Sequence, residues 1–149
     1  MLIAIDPTAI RAYILAEDRG SENPTTFGIQ SLSNKLAAAI KDNLVVFEAT
    51  AEGSVRVAPG MRFNAFQLFT DVVRLGLKTW NLKYKTATGE VKEAPLIFEK
   101  THHKDYGVNE MVSEASMNYL RPLWVQELAT AIVGESFLTG EKEKNSEGP

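Results

Sequence analysis

The sequence predicts an α+β fold, with N-terminal strands, one or two β-hairpins and about four helices in a single small domain. Two observations predict it. Apolar residues recur at helical spacing through residues 61–78 and again after Pro122. Short runs rich in β-branched and aromatic residues, such as residues 44–47 and 55–57, flank polar segments of the kind that form turns.

Composition supports one ordinary globular domain. The chain has 149 residues, of which 44% are hydrophobic and 23% are charged. A chain of this length can bury a core without a disulfide or metal. We assign residues 1–140 to the domain. Residues 141–149 contain no apolar side chain, so they are predicted to form a disordered polar tail.

Several functional classes are disfavoured by composition. The absence of cysteine excludes disulfides, thiolate metal sites and cysteine nucleophiles. The net charge of -3 argues against a nucleic-acid binder, which usually has a basic face. No apolar run is long enough for a membrane span, and Asp6 and Pro7 interrupt the first one, so we expect neither a signal peptide nor a membrane partner.

The first third of the chain predicts strands and one helix. Residues 2–5, 12–16 and 25–30 have strand-like composition, although residues 13–16 could instead continue a helical turn that begins after Pro7. Ser33 is suited to cap a helix. The helix would carry Leu36, Ala39 and Ile40 at helical spacing and end at residues 41–43.

The strands at residues 44–47 and 55–57 would form a hairpin around residues 50–53, ended by Pro59 and Gly60. Residues 61–78 then form the clearest helix. Its apolar stripe contains Ala65, Phe66, Phe69, Val72, Val73 and Leu77, and its polar face contains Arg62, Asn64, Gln67, Asp71 and Arg74.

A second hairpin would pair residues 80–84 with residues 95–98 around a turn at residues 86–90, unless this segment is an ordered loop. Residues 102–107 would be a polar connector. Two helices are predicted after it, the second starting near Pro122 and weakened by Gly134 and Gly140. The first has apolar residues at helical spacing, namely Val108, Met111, Val112, Ala115 and Tyr119. The second would bury Trp124, Leu128, Ala131 and Ile132.

No complete catalytic or metal-binding set is evident. His102 and His103 are the only histidines, and with Asp105 they fall short of the ligands that zinc usually needs. Ser136 lacks the second glycine of a nucleophile elbow. The acidic pairs lie in polar segments, where both carboxylates are expected to be solvated; they are Glu17 with Asp18 and Glu90 with Glu93.

The segment that contains Trp80, Lys83, Tyr84 and Lys85 interleaves aromatic and basic side chains. Such a strand could stack single-stranded nucleic acid, but it more often places its aromatics in the core. We therefore expect a protein without catalytic residues, cofactor or metal, which acts by binding another protein.

Two segments carry a family resemblance. Residues 61–84, which end in Leu75-Gly-Leu-Lys-Thr-Trp80, are followed by the turn Thr88-Gly-Glu90. Residues 122–132 contain Glu127-Leu-Ala-Thr-Ala-Ile132 and lead to the charged end at residues 138–145. Together they resemble small proteins of the tail modules of long-tailed bacteriophages and prophages, commonly identified as tail assembly chaperones.

The resemblance covers about the last ninety residues well and the first fifty weakly, where residues 25–33 resemble the N-terminal strand of that family. Two features depart from the family pattern. The segment 99–107 is longer and more polar than expected, and Gly140 replaces an acidic residue. The subfamily is therefore not defined by the resemblance.

The resemblance implies a virion assembly factor of the host bacterial cytoplasm. It would bind tail proteins, either the tape measure protein or the tube protein, and keep apolar helices soluble until the tail polymerises. Apolar stripes could cover such a helix in a helix-in-groove interaction. The candidate partner-binding residues, if exposed, are Phe66, Phe69, Val73, Trp124, Leu128 and Ile132.

Three alternatives remain at this stage: a structural virion component of the tail, neck or baseplate; a phage-encoded regulator or host-defence inhibitor; and an enzyme. The net charge of -3 is too mild to favour nucleic-acid mimicry. An N-terminal edge strand could also pair with a second copy, so a homo-oligomer is compatible with the sequence.

Overall fold

The element order confirms the α+β prediction. The computed structural model describes residues 1–4, 6–40, 47–51, 55–57, 66–104 and 106–137, which contain four helices and nine short strands. The strands are β1 (Arg11–Tyr13), β2 (Phe27–Ile29), β3 (Phe47–Ala49), β4 (Val55–Val57), β5 (Leu77–Trp80), β6 (Lys83–Lys85), β7 (Val91–Glu93), β8 (Phe98–His103) and β9 (Gly107–Val112). The helices are α1 (Asn34–Ile40), α2 (Phe66–Gly76), α3 (Glu114–Met117) and α4 (Pro122–Phe137).

A three-stranded antiparallel sheet in the order β1-β2-β5 contains the N-terminal strands. Its register places Tyr13 opposite Phe27 and Phe27 opposite Trp80. The central strand β2 is fully buried. The strands predicted at residues 12–16 and 25–30 therefore exist in shorter form, and the helical alternative for residues 13–16 is wrong, since Tyr13 lies in β1 and a 3-10 turn begins only at Ala16.

The first predicted strand is wrong. Residues 1–4 form no regular structure, and Ile5 lies outside the described residues. Helix α1 agrees with its prediction, because the backbone N–H of Leu36 donates to Ser33 Oγ at 3.2 Å, as a capping side chain should accept. Residues 41–43, where α1 was predicted to end, are also outside the described residues.

The first hairpin is confirmed by antiparallel pairing of β3 with β4, in which Phe47 lies opposite Val57. The remainder of this prediction, at residues 44–46, 52–54 and 59–60, falls outside the described residues, as do residues 61–65 of the predicted long helix.

Helix α2 ends two residues earlier than predicted, because Leu77 and Lys78 belong to β5. Leu77 pairs with Ile29, and the carbonyl of Gly76 accepts from the N–H of Gln30 at 2.8 Å. The sheet thus provides partners for the backbone groups that another helical turn would have used. The apolar spacing at the end of this segment fits either a continued helix or a strand.

The second hairpin has a different partner from the predicted one. Strand β6 pairs with β7, not with residues 95–98, the last of which begins β8. Its turn is closed by a 2.9 Å hydrogen bond from Gly89 N to Thr86 O, and Gly89 has φ of +89°. A positive φ favours glycine, so Gly89 allows a tight turn. Because the turn is tight, β6 pairs with the strand that follows directly after it in the sequence.

A third hairpin replaces the predicted connector and part of a predicted helix. Strands β8 and β9 pair over six positions, from Phe98 opposite Val112 to His103 opposite Gly107. Val108, Met111 and Val112 therefore lie on a strand. A short helix, α3, follows after Ser113, whose Oγ accepts from Ser116 N at 3.1 Å.

Helix α4 starts at Pro122, as predicted, and continues through Gly134 to Phe137. It packs against α2 in the core. The predicted weakening at Gly140 lies outside the described residues, and so does the predicted tail at 141–149. None of the helices in the described part of the chain has both the length and the apolar character needed to cross a membrane.

Candidate protein-binding surface

Four of the six predicted partner-binding residues lie in the core. Phe69 and Val73 on α2, and Leu128 and Ile132 on α4, are each at most 1% exposed. The two predicted apolar stripes face each other, so each stripe covers the side chains of the other that a partner protein would have contacted. In this conformation those four side chains do not belong to the protein surface.

Phe66 and Trp124 remain accessible. Phe66, the first residue of α2, is 46% exposed. Trp124 lies in the first turn of α4 and is half-buried. Both therefore remain candidates for partner binding, although each was predicted as part of a longer stripe.

Trp124 belongs to a small surface at the start of α4, which we call the Trp124 patch and define as Arg121, Leu123 and Trp124. The Arg121 guanidinium lies 5.1 Å from the centroid of the Trp124 ring, a cation–π distance. Leu123 is 77% exposed. The patch thus combines an exposed aliphatic side chain with a tryptophan and an arginine, the residue types most enriched at interface hot spots.

The orientation of the Trp124 ring is fixed by the N-terminal segment. Its indole Nε1 donates to Glu17 Oε1, in the 3-10 turn Ala16–Asp18. Glu127, one turn further along α4, accepts from Tyr13 Oη at 2.6 Å and from Ala16 N at 2.9 Å. The segment after β1 is therefore bound to α4 by polar contacts, which hold the indole edge and leave Leu123 exposed.

These contacts alter the acidity of Tyr13. Burial, followed by the hydrogen bond to the Glu127 carboxylate, raises the pKa of Tyr13 from 10.0 to about 12. Its hydroxyl also lies 3.4 Å from Arg19 Nη2, which acts in the opposite direction. The net effect favours the neutral phenol, which can donate to Glu127.

Tyr13 should make stability depend on pH in the alkaline range. The folded protein retains a proton that the unfolded chain releases, so the free energy of unfolding is expected to fall between pH 10 and about pH 12. After allowance for solvent screening at this half-buried site, Tyr13→Phe should remove about 1 kcal/mol of that fall. Urea unfolding of both proteins at pH 9 and pH 11.5 measures the difference. Equal losses would contradict a role for Tyr13, because lysine titration affects both proteins alike.

A second polar cluster was not expected. Asp71 and Arg74, assigned to the polar face of the predicted helix, are buried beneath the β8–β9 hairpin. Arg74 Nε donates to Val112 O at 2.7 Å, and its Nη2 lies 2.9 Å from Glu99 Oε1. The polar side of α2 therefore faces the polar side of a hairpin, and buried charges are matched by partners.

The histidines belong to this region. His103 Nε2 lies 3.7 Å from Asp71 Oδ2, and its ring stacks on Tyr106 with centroids 4.0 Å apart. His102 points to the other face of β8 and is exposed, while Asp105 is outside the described residues. The two histidines thus diverge, and no group of three His, Cys, Asp or Glu side chains suited to a metal occurs in the described ranges.

Ser136 has a structural role. Its Oγ accepts from Leu32 N at 2.8 Å and donates to Ile132 O at 2.9 Å, which ties α4 to the segment after β2. Among the acidic pairs, Glu17 binds Trp124, and Asp18 Oδ2 accepts from Thr25 N at 2.5 Å. These groups therefore organise loops and helix ends around the sheet.

The aromatic side chains of β5 and β6 pack against other aromatic rings while the lysines of β6 are exposed, as expected if the aromatics of this segment belong to the core. Trp80 packs edge-on against Phe27, with centroids 6.4 Å apart, and Tyr84 lies 5.1 Å from Tyr119. Lys83 and Lys85 are exposed. Aromatic and basic side chains thus do not form one continuous stacking surface.

Comparison of the chain with protein-family models, with curated proteins and with solved structures gives no match in any of the three.

Proposed function

We propose that this protein is a bacteriophage tail morphogenesis factor of the tail assembly chaperone kind, which binds a tail protein through the Trp124 patch. The observation that carries the proposal is the exposure of Leu123, 77%, beside a tryptophan whose edge is already held by Glu17. The biological setting comes from the resemblance to tail-module proteins of residues 61–84 with 88–90, and of residues 122–132 with 138–145.

The expected partner is an apolar stretch of helix, such as those of a tape measure protein. Such a helix aggregates unless another surface covers it. Leu123 would insert among its apolar side chains, while the ring of Trp124 covers a larger area with little loss of side-chain freedom. Because Glu17 already orients the indole, binding would cost less ordering than at a mobile tryptophan.

The Arg121 side chain adds selectivity to this contact. Arg121 is exposed and its guanidinium lies over the Trp124 ring, so a carboxylate on the partner helix could bind the guanidinium at the border of the patch. We therefore expect the preferred partner segment to be an amphipathic helix with an acidic residue at the border of its apolar face.

Leu123→Asp should weaken binding of the tape measure protein about tenfold without unfolding the domain, since the side chain is already in water. The matched control is Val108→Asp, at a 65% exposed aliphatic residue on β9. Co-purification of each variant with the tape measure protein of the parent phage measures the effect. Equal recovery with both variants would exclude the Trp124 patch as the binding surface.

Mass spectrometry of purified virions tests the wider proposal. A chaperone acts during assembly and should be missing from mature particles. Stoichiometric presence in virions, without recovery of the tape measure protein from lysate, would contradict the chaperone function. That outcome would indicate a structural component of the tail, neck or baseplate.

A further inference from the structure

A short apolar arm precedes the sheet. We define the arm as Met1–Ala4; its first three side chains are 111%, 101% and 61% exposed, and none of its residues is in regular structure. Its sequence, Met-Leu-Ile-Ala, carries no charged side chain and would suit a strand. The arm is therefore an exposed apolar segment outside the regular structure, and its backbone groups are available for pairing.

A turn separates the arm from β1. Asp6 Oδ1 accepts from Thr8 N at 2.9 Å and from Thr8 Oγ1 at 2.7 Å, and Ala9 N donates to Asp6 O at 3.2 Å. Such a turn is fixed by local hydrogen bonds and does not depend on the arm. The arm can thus move to a new position while the turn and the sheet stay intact.

The same chain also offers an open sheet edge. Strand β1 is the outer strand of the β1-β2-β5 sheet, and on its other side no strand of the described residues pairs with it. Arg11 and Ala12 are exposed, and the Arg11 guanidinium is paired with Glu135 at 3.1 Å. The charge that would repel an added strand is therefore already matched within the chain.

An apolar contact is available beside this edge. Ile10, directly before β1, is 52% exposed, and its Cγ2 lies 2.8 Å from where a Cβ on Gly28 would be. Its side chain thus lies on the sheet next to the central strand. A strand added along β1 would place alternate side chains over the same face, where Leu2 or Ile3 could cover Ile10.

We propose that two copies of this chain exchange arms, so that the arm of each copy adds a fourth strand along β1 of the other. A second copy can supply the added strand, because both halves of the contact, the apolar arm and the open edge of β1, occur on one chain. The exchange is reciprocal, and it therefore closes as a two-fold dimer. It is independent of partner binding at the Trp124 patch.

Introduced cysteines provide the direct test, because the chain has none of its own. Ile3→Cys protein is mixed with Ala12→Cys protein that carries a larger tag, and the mixed disulfide is followed on a non-reducing gel. We expect it to form roughly tenfold faster than the disulfide between Ile3→Cys and Val108→Cys, an exposed control on β9, because a disulfide needs the two Cβ atoms close together. Equal rates would overturn the proposal.

Two further measurements exclude other arrangements. Light scattering over a concentration series should show a dimer for the natural chain and a monomer for the Leu2→Asp, Ile3→Asp double variant, with unchanged circular dichroism. A dimer that persists in that variant, or a monomer for the natural chain, would contradict arm exchange. So would a concentration-independent disulfide within an Ile3→Cys, Ala12→Cys double variant, since the arm would then fold back on its own β1.

Discussion

Arg74→Ala is expected to lower the free energy of unfolding by about 3 kcal/mol, one of the two largest effects we predict. The Arg74 side chain is 8% exposed, and its guanidinium links α2 to both strands of the β8–β9 hairpin. Without it, the buried carbonyl of Val112 loses its 2.7 Å donor, and Glu99 loses its ion pair. The buried stem of the side chain also leaves a cavity.

Most of the cost comes from the Val112 carbonyl. Glu99 is 48% exposed and can be hydrated when its partner is removed, so the ion pair alone contributes little. We therefore expect Glu99→Gln to cost less than about 1 kcal/mol. Lysine lacks the planar guanidinium that binds two partners at once, so the loss of stability in Arg74→Lys should lie between those of Glu99→Gln and Arg74→Ala.

Urea unfolding measures these differences, and hydrogen exchange of the β8–β9 amides locates them. The control is Arg121→Ala, at an exposed arginine that stacks on Trp124, for which we expect a change of less than about 1 kcal/mol. Equal stability of the Arg74→Ala and Arg121→Ala proteins would show that apolar contacts alone hold the hairpin to α2.

The elements with strong periodicity were predictable from the sequence. The stripes of α2 and α4 place Phe69, Val73, Leu128 and Ile132 at helical spacing, and all four are buried as a helix pattern predicts. Ser33 and Pro122 also mark helix starts as expected. Local chemistry is sufficient in these cases, because each element buries a face that its own sequence defines.

The β8–β9 hairpin could not be predicted in the same way. Val108, Met111 and Val112 fit helical spacing, but their segment pairs with residues 98–103, whose composition is polar. That polar strand is stable because Asp71 and Arg74 of α2 provide partners for its inward side chains. The information lies in a contact distant in sequence, which periodicity in either segment does not contain.

The candidate surface was only partly predictable for a related reason. An apolar stripe on a helix does not show whether a partner protein or another helix of the same chain covers it. Here α2 and α4 cover each other, which leaves Phe66 and Trp124 at their ends. Leu123 was not predicted as a partner-binding residue. A signal was present, because Leu123 lies in the first helical turn, directly after Pro122 and next to Trp124, where an exposed apolar side chain could occur.

The close approach of α2 and α4 leads to the second large effect. A Cβ on Gly76 would lie 2.6 Å from Cγ2 and 2.8 Å from Cδ1 of Ile132, well inside normal contact distance. Alanine is normally favoured over glycine in a helix by about 1 kcal/mol. Overpacking should outweigh that gain, so we expect Gly76→Ala to lower the free energy of unfolding by about 2 kcal/mol.

Ile132→Ala should cost about 4 kcal/mol on its own, because it opens a cavity at a side chain that is 0% exposed. In the double variant, the methyl group that Gly76→Ala introduces would occupy part of that cavity. The combined loss should therefore be smaller than the sum of the single losses by about 2 kcal/mol, a coupling that only neighbouring residues show.

A double-mutant cycle by urea unfolding measures this coupling, and the Ile132→Ala background serves as the control for helix propensity. There Gly76→Ala should be neutral or stabilising, since the obstructing side chain is gone and the preference for alanine remains. Strictly additive losses would contradict the packing of α2 on α4, and a stabilising Gly76→Ala in the natural background would mean that Ile132 can move aside. The coupling therefore reports directly on the contact between α2 and α4 that buries Phe69, Val73, Leu128 and Ile132.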